Sequence, residues 1–136
     1  LVISFINFTL ASAEGVKYTN GSLVADHGTV FIIYEGKKYG FTSKEVFLGL
    51  HYKFSNVVSG DLARIPEGAP IATAELGHGH GTLINIFGTI YYVYDGYRIG
   101  IPSMAVFNAY SYDLTKVVEH TPADWFLIDN GTLQAP

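Results

Sequence analysis

The densest grouping of chemically capable side chains in this 136-residue chain is His78-Gly79-His80-Gly81. Two histidines at i and i+2 on an extended segment point the same way and could share a metal ion. No third ligand accompanies them at a diagnostic spacing: His27, His51 and His120 lie elsewhere in the sequence, and there is no His-Glu-x-x-His pattern or carboxylate cluster. The glycines read as turn residues, so neither a metal nor a cofactor is expected.

Hydrolytic chemistry would need a nucleophile with a base, or paired carboxylates. Ser43 and Ser103 stand sixty residues apart, and so do Glu35 and Asp95. A serine at a helix start reads as a cap, and an acidic residue before glycine reads as a hairpin loop. A catalytic centre is built once from residues with different roles, whereas these features occur twice in the same role. The chain is therefore read as not an enzyme. The absence of cysteine removes thiol nucleophiles, disulfides and cysteine metal sites.

What remains is Lys37, Lys38, Tyr97 and Arg98. A tyrosine ring beside a cation can stack on a sugar face or a peptide. Tyr34, Tyr39 and Tyr94 read as core, but Tyr97 occupies the position that Lys37 holds sixty residues earlier, and a position that accepts lysine tolerates water. These four residues are the ligand-binding candidates.

The elements that must position them are written twice. Residues 28–58 and 88–118 align without a gap, and windows extended back to Gly21 and Gly81 share 13 identities, among them Tyr34/Tyr94, Gly36/Gly96, Gly40/Gly100, Phe47/Phe107 and Tyr52/Tyr112. Glu35-Gly36 and Asp95-Gly96 each join two β-prone runs as a two-residue hairpin loop, glycine supplying the positive φ. That loop pairs Tyr34 with Lys37, Ile32 with Tyr39 and Val30 with Phe41 on one face, the expected core face. Phe31, Ile33, Lys38 and Gly40 take the other face, where Phe31 covers the bare glycine. A short helix is expected over residues 43–50, entered through a capping box of Thr42 and Glu45 and burying Val46, Phe47 and Leu50. In the second run Pro102 marks the same start. Tyr52, Phe54, Val57 and Val58 read as a return segment, and Thr121-Pro122 as the cap and first residue of a further turn.

The fold class expected is α+β: two tandem repeats, each a β-hairpin plus short helix and return strand, with mainly antiparallel strands. The expected boundaries are a signal-peptide remnant over 1–13, a lead-in over 14–20, the first repeat over 21–71, a linker over 72–80, the second repeat over 81–128, and the start of a third over 129–136. The apolar run LVISFINFTL before Ala11-Ser12-Ala13 is too short to span a bilayer and has the form of an export signal, which points to the cell surface or outside. The composition is 49% hydrophobic and 15% charged with a net charge of −4. No basic cluster beyond Lys37-Lys38 could hold a polyanion, so nucleic acid is not an expected partner, and no transmembrane span is expected.

The phrase GTVFIIYEGKKYGFTSKEVFLGLHYKFSNVV with its PEGAPI tail, and its second form around Asp95-Gly96, Arg98, Pro102-Ser103 and Val106-Phe107, resembles a tandem repeat of exported bacterial proteins. In those proteins such units sit beside secreted peptidases, amidases and glycoside hydrolases, or in long surface proteins. The resemblance implies an extracellular accessory module that attaches to cell-wall glycan or surface polysaccharide by multivalent weak binding. A structural spacer or self-assembling surface protein, whose partners are neighbouring repeats, is the alternative, and part of a secreted hydrolase is the third reading.

Overall fold

The computed structural model describes residues 18–136. The expected export signal therefore lies outside the described residues. The fold is mixed α and β, with two sheets, mostly antiparallel strands and few helices. The strands are β1 (Leu23–Asp26), β2 (Thr29–Tyr34), β3 (Lys37–Gly40), β4 (Val57–Ser59), β5 (Leu83–Ile86), β6 (Thr89–Tyr94), β7 (Tyr97–Gly100), β8 (Val117–Glu119) and β9 (Ile128–Thr132). The first sheet has the order β3-β2-β1-β4 and the second β8-β5-β6-β7-β9.

Each sheet is a meander closed by a parallel strand. Tyr34 pairs with Lys37, Ile32 with Tyr39 and Phe31 with Gly40, and the second sheet repeats these pairings sixty residues on. Glu35 (φ 49°) and Gly36 (φ 74°) form the primed turn that suits strand twist, as do Asp95 (φ 48°) and Gly96 (φ 81°). A second such turn, His27-Gly28 or Phe87-Gly88, joins each sheet's first two strands. β4 and β8 then return parallel to β1 and β5.

The helices run over Lys44–Gly49 and Met104–Ala109. Their caps are Ser43 and Ser103, whose hydroxyls accept from the Val46 and Val106 amides at 3.1 and 3.2 Å. This corrects the expected capping box. Thr42 donates its N–H to Ile71 O and so belongs to the sheet edge, and moving the cap one residue on places Val46, not Glu45, third in the helix. Residues 67–71 run beside β3, bridging at Lys38↔Glu67 and Phe41↔Ile71. Residues 129–136, expected as the start of a third repeat, lie in the matching place of the second sheet, where Leu133 N bonds Gly100 O as Ile71 N bonds Gly40 O.

Both faces of the first sheet are buried, where one core face was expected. Ile32, Leu23 and Phe41 join Phe47, Leu50 and Tyr52 on the helix side, while Val24, Phe31 and Ile33 pack with Leu62 on the reverse. The helix-side cluster also contains Ile84, Ile86, Val93 and Val118, which alternation and register place on the reverse of the second sheet. The helix side of the first sheet thus packs on the back of the second. The helix side of the second sheet, with Leu83, Ile101 and Phe107, has no sheet over it among the described residues, and from the C-terminal segment Leu133 packs on its core. Among the described residues no helix is long and apolar enough to cross a membrane.

This packing separates positions that align in sequence. Leu50 is fully buried between the sheets, whereas Tyr110, sixty residues on, is partly exposed. Leu50→Ala should cost about 2–5 kcal/mol and Tyr110→Ala under about half of that, because only the former opens a cavity in a filled interior. Urea denaturation of the two variants measures the difference.

Candidate binding surface

The exposed helix side of the second sheet carries five tyrosines in a row. Starting from the hairpin tip, Tyr97 lies 5.7 Å from Tyr94 between ring centroids, Tyr94 6.2 Å from Tyr92, Tyr92 6.0 Å from Tyr112, and Tyr112 5.6 Å from Tyr110. Interplanar angles of 11–29° make the rings nearly parallel. Full overlap would bring centroids to roughly 3.5–4 Å, so these rings are offset and cover one another only in part. Register explains the row: Tyr92 and Tyr94 alternate along β6, Tyr97 faces Tyr94 across the turn, and Tyr110 and Tyr112 follow the second helix.

The corresponding positions in the first half are Lys37, Tyr34, Ile32, Tyr52 and Leu50. Ile32, Tyr52 and Leu50 are 1%, 5% and 0% exposed, closed off by the second sheet, while all five tyrosines of the row keep contact with solvent. Some hydroxyls are engaged at the margin: Tyr110 donates to Gln134 O at 2.5 Å, and Asn130 Nδ2 donates to Tyr94. Burial raises the Tyr92 and Tyr112 phenols above the ordinary tyrosine value, so neither carries charge near neutral pH.

Tyr112 also borders a cleft of about 110 Å³ where the halves meet, lined on its polar side by Asn20, Ser22, Asn56, Ser111, Asp113 and Lys116. The Thr115 side chain and amide hold the Asp113 carboxyl below its ordinary value, which keeps it ionised. The cleft is far below the roughly 300–1,000 Å³ of a pocket that encloses a small molecule, but it has room for one pendant group or a few waters. The row and cleft together offer apolar ring surface beside fixed donors and acceptors.

The four sequence candidates fall on two faces. Tyr97, 37% exposed, ends the row, and Lys37 is exposed at the tip of the other hairpin. Lys38 and Arg98 point to the reverse side. Lys38 Nζ donates to Leu62 O at 2.9 Å and lies 5.1 Å from the Phe31 ring centroid. Arg98 lies over Tyr91, pairs with Asp129 at 3.9 Å and donates to Asp124 O at 3.4 Å. Tyr92, Tyr110 and Tyr112 were not singled out by the sequence; the available signal was Ile32→Tyr and Leu50→Tyr between the aligned runs.

His78 and His80 do different work. His80 stacks on Tyr34 at 4.6 Å and its Nδ1 accepts from the Asp95 amide at 2.6 Å. His78 is buried. Its Nδ1 lies 2.6 Å from Asp124 Oδ2, its amide donates to Asp124 Oδ1 at 2.8 Å, and its Nε2 meets Leu50 O. Both ring nitrogens face oxygen, which an imidazolium satisfies with two N–H donors. With both occupied and no solvent access, the ring has no free nitrogen for base catalysis. Among the described residues no three of His, Cys, Asp and Glu gather as a metal site.

Burial pushes the Asp124 carboxyl up, but its bond to His78, the nearby imidazole charge, and the Thr121 and His78 amides outweigh burial and hold it below 3.8. A depressed carboxyl stabilises the fold fully above its unfolded value, and that contribution is lost as pH falls through the lower folded value. Unfolding monitored between pH 7 and 2 should therefore show stability falling below about pH 4. Asp124→Asn should flatten that portion and cost about 3–5 kcal/mol at pH 7, the usual penalty of orphaning one partner of a buried pair.

Comparison with protein-family models, with curated proteins and with solved structures finds no match to this chain.

Proposed function

We propose that the chain is a non-catalytic extracellular module that attaches to cell-envelope glycan, with the tyrosine row of the second sheet as its platform. We read the two sheets as two copies of one sixty-residue unit, because their registers and turns recur at that interval. The observation that carries the proposal is the exchange of buried Ile32 and Leu50 for partly exposed Tyr92 and Tyr110 at equivalent positions. A phenol ring tolerates water at its hydroxyl while presenting apolar surface to a pyranose. The adjoining cleft supplies amide, hydroxyl, carboxylate and ammonium groups to orient a sugar substituent. A few offset rings imply weak affinity per module, which linkage of several modules in a longer protein multiplies through effective concentration.

A spacer or self-assembling surface repeat is the second reading, favoured by the front-to-back packing of the two sheets. Such packing could continue, but Asp26 stands where the second sheet places Ile86 in the interface, and Leu62 already covers the reverse of the first sheet. Concentration-dependent polymers in sedimentation without added ligand would favour this reading over the first.

The test of the first is retention of the purified chain on insoluble peptidoglycan and on insoluble polysaccharides. Tyr94→Ala and Tyr112→Ala should each weaken retention roughly threefold to tenfold, the worth of one stacked ring, and Lys37→Ala should leave it near wild type. Absence of retention by a tandem array of this chain on every matrix would sink the reading.

A further inference from the structure

A second group of side chains differs in concert between the aligned halves. Asn85, Phe87, Glu119 and His120 occupy positions that hold Ala25, His27, Ser59 and Gly60 sixty residues earlier. In the structure Phe87 and His120 meet Trp125. The Phe87 ring lies 5.3 Å from His120 and 5.7 Å from Trp125, and His120 lies 5.9 Å from Trp125, the rings inclined to one another at 46–89°. Phe87 is 81% exposed and Trp125 50%. Below them Glu119 accepts from Asn85 Nδ2 at 3.2 Å and lies 2.8 Å from His120 Nδ1.

The fold uses Asn85, whose Oδ1 accepts from the Gly88 amide at 2.9 Å, but it does not require the two exposed rings. Phe87 opens a primed turn at φ 48°, a conformation suited to asparagine, aspartate or glycine and strained for a bulky ring. An aromatic side chain that pays in backbone strain and then projects into water has no folding reason to be there. Trp125, by contrast, is held firmly: its neighbour Asp124 is fully buried on His78, and Arg98 lies 5.9 Å from its ring.

The geometry points to a second saccharide subsite, in which Phe87 and Trp125 stack on a pyranose while the Glu119 carboxylate, held by Asn85, and His120 Nε2 bond its hydroxyls. This rests on the reading of the chain as a glycan-attachment module. The rim chooses the ligand class. A carboxylate and an imidazole beside aromatic faces match a neutral sugar. Glu119 and Asp129 disfavour an anionic membrane, and two copies of this chain meeting here would bring like carboxylates together.

Trp125 is the sole tryptophan of the chain, so its emission reports on this subsite directly. Titration of the full chain with cellotetraose and with the tetramer of N-acetylglucosamine should give a saturable emission change with at least one of them. Phe87→Asn, which suits the turn, should weaken that response at least tenfold while leaving thermal stability equal or higher, and Tyr94→Ala should leave it within twofold. A silent tryptophan while the chain is still retained on glycan through the tyrosine row would overturn the subsite alone. Loss of both retention and response would remove the glycan reading as well. An emission change with phosphatidylcholine vesicles but neither saccharide, or with protein concentration alone, would also overturn the subsite.

Discussion

The structure depends on the burial of the back of one sheet against the helix side of the other. A sheet of four short strands has two faces, and both here are apolar: Val24, Phe31 and Ile33 on one side of the first sheet, Leu23, Ile32 and Phe41 on the other. Neither face survives in water unless covered, and a six-residue helix covers only part of one. Ile84, Ile86, Val93 and Val118 complete the cover by filling the space around Phe47, Leu50 and Tyr52. The segment between the sheets is held to the same junction. His78 bonds Leu50 O on one side and Asp124 on the other, and Gly77, at φ 78°, passes so close to Asp124 that a Cβ would lie 2.8 Å from its carboxylate.

Local features of the fold were legible because they depend on local physics. Glu35-Gly36 and Asp95-Gly96 specify their turn by φ, and the turn fixes the register on both sides, so Tyr34↔Lys37 and Phe31↔Gly40 follow without tertiary knowledge. Gly40 under Phe31 was legible for the same reason; its missing Cβ would lie 3.1 Å from the ring. The cap was misplaced by one residue because Thr42 and Ser43 are both competent caps, and the choice was made by the strand-edge bond from Thr42 to Ile71. The second buried face was missed because Leu62 and the opposite sheet are remote in sequence, and alternation alone assigns one side of a ribbon to water.

The candidate binding surface was less legible, for a related reason. Tyr34 and Tyr94 are identical residues at equivalent positions, and Tyr52 and Tyr112 likewise, yet Tyr52 is buried and Tyr112 is not. Exposure is a property of what packs on top, which the aligned residues do not record. Lys38 and Arg98 lie on the other side of their hairpins from the tyrosine row. Their charge suggested a ligand, and in the structure each charged head lies over an aromatic ring and meets nearby oxygen atoms, although the buried Arg98 Nε has no partner among the described residues. Differences between the aligned runs carried more information than identities: Ile32 against Tyr92, Leu50 against Tyr110, His27 against Phe87.

Those differences share a physical logic. A helix-side face without a second sheet above it must still cover Phe107, Leu83 and Ile101, which remain 1–7% exposed. Isoleucine and leucine at the outer positions would do so at the cost of an open apolar patch, whereas lysine or serine would leave the layer beneath under-packed. Tyrosine answers both demands, because its ring packs inward and its hydroxyl meets water or a neighbouring amide, as Tyr110 does at Gln134 O. A face finished in this way is amphipathic at the scale of a sugar ring, so the residues that close the core of the second sheet are also the ones we propose as the glycan platform. Phe87 and Trp125 rest on His120, and Trp125 also on Arg98, yet they stay 81% and 50% exposed, more than covering those two side chains requires.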